Sequence, residues 1–126
     1  MMSEFKNIVP VLKVADLQRA VEFYTSVLGC SVVWQAANDG GGENAMLQAG
    51  TTSLLLSTGS HLGDKPHFTG ALYFNMKGVR GFFEAIKEKV EVVWPLETTD
   101  YGQHEFGIRD LDGYTLAFAE DEDDES

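Results

Sequence analysis

The strongest constraint on this chain is that one pattern runs through it twice. A strand, a helix and three further strands read over about residues 7–57, and the same order returns over about 71–120. Val9 and Ala71 lie 62 residues apart, and so do Leu55 and Ala117. Val33-Trp34 and Val93-Trp94 match at 60, because the second helix-to-strand turn is two residues shorter. A repeat of this size sets the architecture before any single element does. Neither half can bury a sheet face alone, so the two are expected side by side. The expected class is α+β: two βαβββ modules forming one curved, cleft-enclosing mixed sheet with helices outside. The expected organisation is a single domain over residues 1–120, then an acidic disordered tail over 120–126. The concave inner face is the expected ligand site.

The elements follow from local signals. Asn7 to Val14 reads as a strand, with Pro10 marking an edge or a start. Asp16 stands at an N-cap position, and Leu17, Ala20, Val21, Tyr24 and Leu28 recur at helical spacing up to Gly29. Strands are expected at Ser31–Gln35, Ala45–Ala49 and Ser53–Ser57. Asp39-Gly40-Gly41-Gly42 reads as a turn; it lacks the Lys-Ser/Thr and the helix that a phosphate-cradling loop needs. Thr58–Thr69 is a loop and a hinge between the halves. In the second half, Ala71–Met76 alternates as a strand, and Gly78 precedes a helix with Val79, Phe82, Phe83, Ile86 and Val90 on one face. Val92-Val93-Trp94 is a strand stopped by Pro95, and Thr98–Gln103 is a loop. Glu105–Arg109 and Tyr114–Ala119 are strands joined by the turn Asp110-Leu111-Asp112-Gly113.

Composition narrows the function classes. An apolar share of 44% in 126 residues supplies a core and excludes a wholly disordered chain. The net charge is -11; six of the 20 acids fall in residues 120–126, leaving 14 acids against nine Lys and Arg in the body. An acidic body repels phosphate backbones and favours a cationic ligand over an anionic one, so no nucleic-acid partner is expected. The single cysteine, Cys30, excludes an internal disulfide and a Cys-based zinc site, and suits a reducing cytosol. No apolar run approaches the roughly 18 residues of a membrane span. Met1 to Lys6 lacks the pattern of a signal peptide. The expected location is cytoplasmic, with no membrane contact.

The candidate residues sort by face. Strand alternation puts Val9, Val11, Ala71, Tyr73, Asn75, Ala117 and Ala119 on one side, and Pro10, Leu12, Val14, Leu72, Phe74, Met76, Leu116 and Phe118 under the helices. The first side is an apolar recess with a few polar handles, suited to a flat organic ligand. Trp34, Trp94, Tyr101 and Phe106 are candidate walls, able to stack on a cationic ring. The expected ligand-contacting set is therefore Val9, Val11, Trp34, Leu55, Tyr73, Asn75, Tyr101, Phe106 and Ala117. His61 and His67, six apart in the central loop, lack the geometry of a metal pair. His104, Glu105 and Tyr101 are the catalytic candidates, but His104 and Glu105 are adjacent on a strand, so only one of them can reach a given point of the cleft. Cys30 reads as a small, partly buried hydrophobe, and Glu22, Arg80, Glu84, Lys87, Glu88 and Lys89 as solvated helix residues.

These modules resemble the glyoxalase/bleomycin resistance/dioxygenase group, the vicinal oxygen chelate superfamily. The matching segments are Pro10-Val11-Leu12-Lys13-Val14-Ala15-Asp16, Ala20-Val21-Glu22-Phe23-Tyr24 with Val27-Leu28-Gly29, and Phe106-Gly107-Ile108-Arg109-Asp110-Leu111-Asp112-Gly113-Tyr114-Thr115-Leu116. The resemblance implies a divalent metal site in the enzymes of the group, built from His, Gln or Glu on the first and last strand of each module. Carried onto this sequence, those places are Val9, Leu55, Ala71 and Ala117. All are apolar, and their neighbours Ile8, Pro10, Leu54, Leu56, Gly70, Leu72, Leu116 and Phe118 add no ligand, so neither a metal nor another cofactor is expected. The chain is most similar to metal-free, bleomycin-resistance-like members, which are typically homodimers. That resemblance implies a homodimer that sequesters a small organic molecule, cationic or aromatic, with antibiotics among the candidates. The alternatives are a metal-dependent or metal-free lyase, isomerase or dioxygenase of the same group, and an interaction module with a vestigial cleft.

Overall fold

The computed structural model describes residues 4, 6–37, 42–68 and 70–122. The chain divides into two units, Met1–Lys65 and Pro66–Ser126. Each contains one four-stranded mixed sheet, so the α+β class and the βαβββ repeat are both present.

In the first unit the strands are β1 (Val11–Lys13), β2 (Ser31–Ala37), β3 (Glu43–Ala49) and β4 (Thr52–Ser57), in the spatial order β1-β4-β3-β2. β1 runs parallel to β4, and the other pairs are antiparallel. β1 is shorter than the strand expected from Asn7, because Pro10 has no N–H for the ladder. Its carbonyl still accepts from Leu55 N–H at 2.9 Å. Between β1 and β2 lies α1 (Leu17–Glu22), whose N-cap Asp16 accepts from Arg19 N–H at 3.0 Å. The helix then widens into a π turn over Phe23–Val27, where Leu28 N–H reaches back to the Phe23 carbonyl. Thr25 Oγ1 donates to the Val21 carbonyl at 2.8 Å within this stretch. Gly29, at φ 85°, ends the helix, and Cys30 N–H caps the Tyr24 carbonyl at 2.9 Å. Leu17, Ala20, Val21 and Tyr24 are buried with Leu12, Ala45, Leu47, Leu54 and Leu56.

The second unit repeats the plan with β5 (Ala71–Asn75), α2 (Val79–Ile86), β6 (Glu91–Thr98), β7 (Gln103–Arg109) and β8 (Thr115–Asp121), in the order β5-β8-β7-β6. α2 lays Phe82 and Phe83 on an aromatic core. Phe106 and Phe118 stack at 5.2 Å, Phe74 stacks on Phe118 at 4.8 Å, and Phe83 meets Phe106 at 4.9 Å. Fully burying one such ring is worth about 1.5–3 kcal/mol. The Asp110–Gly113 turn is built as expected: the Asp110 carboxylate accepts from Asp112 and Tyr114 N–H, both at 2.9 Å, and Gly113 sits at φ 87°.

Two expectations about strand ends need correction. β6 continues through Pro95, with register shifts either side of Trp94, because an edge strand tolerates a missing donor at an irregularity. β8 reaches Asp121, so Glu120, placed in the disordered tail, is a buried strand residue. Its carboxylate accepts from Gly78 N–H at 3.0 Å and Val79 N–H at 3.1 Å, satisfying the donors at the start of α2. Those two bonds hold its pKa below the usual carboxylate value. Residues 38–41, most of the expected glycine turn, and 123–126 lie outside the described residues. Among the described residues, no helix is long and apolar enough to cross a membrane.

Candidate functional site

Each sheet has one face under its helix and one face away from it, and the register sorts the candidate residues between them. Directly opposed residues share a face. In the first unit Val11 pairs with Leu55, Leu55 with Met46, and Met46 with Trp34, so these four form one row on the face away from α1. Val11 is 41% exposed and Trp34 43%. Val9 precedes β1, and the strand partner of Leu55 is Val11 instead.

The second unit carries the matching row: Tyr73 with Ala117, Ala117 with Gly107, and Gly107 with Trp94. Here the tryptophan lies on the strand. A Cβ at Gly107 would sit 2.5 Å from the Trp94 ring, so the indole occupies the space a side chain would take. Its Nε1–H is buried and has no partner among the described residues. One step along, Asn75 pairs with Ala119 and Ala119 with Glu105.

Glu105 is the chemical centre of this face. It is 3% exposed, yet it carries a carboxylate. Tyr73 donates to its Oε2 at 3.4 Å, and Tyr101 donates a short hydrogen bond to its Oε1. Tyr101 comes from the turn between β6 and β7, where Gly102 takes φ 80° and its N–H donates to the Thr99 carbonyl at 3.2 Å. The bond to Glu105, with a smaller contribution from Tyr73, holds the Tyr101 phenol above its usual pKa. Both rings remain open, at 52% exposure for Tyr73 and 65% for Tyr101.

Two candidate residues fall elsewhere. Phe106, expected as a cleft wall, is fully buried under α2, since it pairs with Phe118 on the helix side. His104 pairs with Glu120 on that same side, and its Nδ1 lies 3.0 Å from Thr98 Oγ1. The structure therefore joins Tyr101 and Glu105, adds Tyr73, and leaves His104 out. Cys30 is partly buried, which raises its thiol pKa. Sequence reasoning named Glu105, Tyr73 and Tyr101 singly but did not unite them, and it gave Gly107 no role.

The donor set at the metal places does not fit a divalent ion. Val9, Leu55, Ala71 and Ala117 offer no lone pair, and their in-register neighbours Val11 and Tyr73 offer at most one phenol. Among the described residues, no three His, Cys, Asp or Glu side chains gather in a way that would hold a metal.

A family model for the Glyoxalase/Bleomycin resistance protein/Dioxygenase superfamily matches residues 8–118. The chain belongs to this superfamily. No match was found among curated proteins. Among solved structures, TnmS3, an antibiotic binding protein from Streptomyces sp. CB03234, is 17% identical with a TM-score of 0.77, covering 96% of this chain and 99% of its own. TioX from Micromonospora sp. ML1 is 20% identical with a TM-score of 0.75, covering 93% and 99%. The V278E mutant of glyoxalase I from Zea mays is 22% identical with a TM-score of 0.76, covering 88% of this chain and 43% of the larger enzyme. At these identities the shared property is the fold, and the same fold carries both a binder and an enzyme.

Proposed function

We propose that this superfamily member binds a small organic molecule and sequesters it without a metal, as a cytoplasmic homodimer. One observation carries the reading: the four family metal places are Val, Leu, Ala and Ala, while the sheet faces away from the helices present the exposed rings of Trp34 and Tyr73. Apolar strands with a few aromatic and polar handles suit a flat ligand held by stacking and area burial. The antibiotic-binding function stated for TnmS3 supports the same class on the same fold. The metal-dependent lyase or dioxygenase alternative would need ligands that those places lack.

Calorimetric titration against planar and cationic antibiotics, bleomycin included, tests the reading. Saturable binding with recovery of the unchanged compound is the expected result. Metal analysis by plasma mass spectrometry after dialysis against zinc, nickel, manganese or iron(II) is the companion measurement. A stoichiometric metal would overturn the reading. Sedimentation equilibrium tests the dimer.

A further inference from the structure

The geometry points to Glu105 as the residue that selects a ligand's charge: an aromatic organic cation, set against the exposed rings of Tyr73 and Tyr101. This inference rests on the sequestration reading and specifies its ligand class. The carboxylate is 3% exposed, and its partners among the described residues are two neutral phenols. A buried carboxylate without a cationic partner is costly, and phenol donors offset only part of that cost. Each of its oxygens accepts from one phenol, so neither oxygen is bonded to a charged group. The two phenols also fix the orientation of the carboxylate, so binding needs little reorganisation there. Their rings are exposed, and aromatic faces beside an anion attract a cation. Among the described residues no lysine or arginine pairs with this carboxylate, whereas Glu91 on the same sheet is paired with Arg109 at 3.0 Å.

The experiment compares three probes of similar shape by calorimetry at mildly alkaline pH: N-methylquinolinium, neutral quinoline and naphthalenesulfonate. The cation is expected to bind the wild-type protein roughly tenfold or more tighter than quinoline, as for a hydrogen bond or contact involving a charged group. Naphthalenesulfonate is expected to bind weakest. In Glu105→Gln the preference for the cation over quinoline is expected to disappear. Glu105→Gln removes one of 20 acids, so a cation preference that survives it assigns the effect to general acidity and overturns the inference. Quinoline binding as tightly as the cation to the wild-type protein also overturns it, and leaves the sequestration reading standing. Failure of all three probes overturns both. The wild-type comparison needs no variant, so the inference is testable even if Glu105→Gln folds poorly.

Discussion

Trp34 and Trp94 occupy matching points of the repeat, each just after a register shift in its strand, yet they do opposite things. Trp34 faces Met46 and stands 43% exposed. Trp94 faces Gly107 and lies down where a side chain would be. The helices differ in the same manner. α1 is capped by Asp16, its own preceding residue, while α2 starts at Gly78 without a local side-chain cap and borrows Glu120 from β8. One unit solves its problems with neighbours in sequence, and the other with residues brought from across its sheet. A duplicated plan therefore keeps its backbone while the two copies exchange which position is large, which is small and which is charged.

That contrast can be broken at four points. Gly107→Met installs the first unit's residue in the second. It should cost about 1–3 kcal/mol through overpacking, seen as a lower urea midpoint, and should shift tryptophan emission to the red as Trp94 is expelled. Glu120→Gln should lower the melting temperature by several degrees at neutral pH. The folded-state pKa of Glu120 is depressed, so its contribution is present above the ordinary value of 4.5 and is lost as pH falls through the folded value. The melting curves of the two proteins should therefore converge in acid. Asp16→Ala should cost about 1 kcal/mol in chemical denaturation, less than the Glu120 change, because a local cap bonds a single exposed N–H.

The smallest effect is spectroscopic. The folded-state pKa of Tyr101 is raised, so its stabilisation is complete below the ordinary 10.0 and is lost as pH climbs toward the folded value. The phenolate absorbance missing from Tyr101→Phe, relative to the wild-type protein, should appear only well above that ordinary value. In Glu105→Gln it should appear closer to it.

The repeat, the Asp16 cap, the Gly29 stop and the Asp110–Gly113 turn were legible because each is written within a few consecutive residues. The Glu105 cluster was not. It requires β5, β7 and the Thr99–Gly102 turn to converge, and none of them announces the others. Phe106 was assigned to the wrong face because a strand residue's side depends on its register, and a shift of one residue reverses it. Glu120 looked like the start of a charge run until its strand placed it against α2, 41 residues from Val79. The strand through Pro95 likewise depends on being at an edge, which only the sheet order reveals.

In both sheets the first strand pairs with the last, β1 with β4 and β5 with β8. Neither sheet can close before its final strand has been made, and such distant pairings slow folding. During synthesis the two units meet this condition at different moments. The first has all its strands once Ser57 has left the ribosome, while the second must wait for Asp121. The pairing of β5 with β8 thus stays unmade until the end of the second unit has been synthesised, and that interval is when β5 is most open to misassembly.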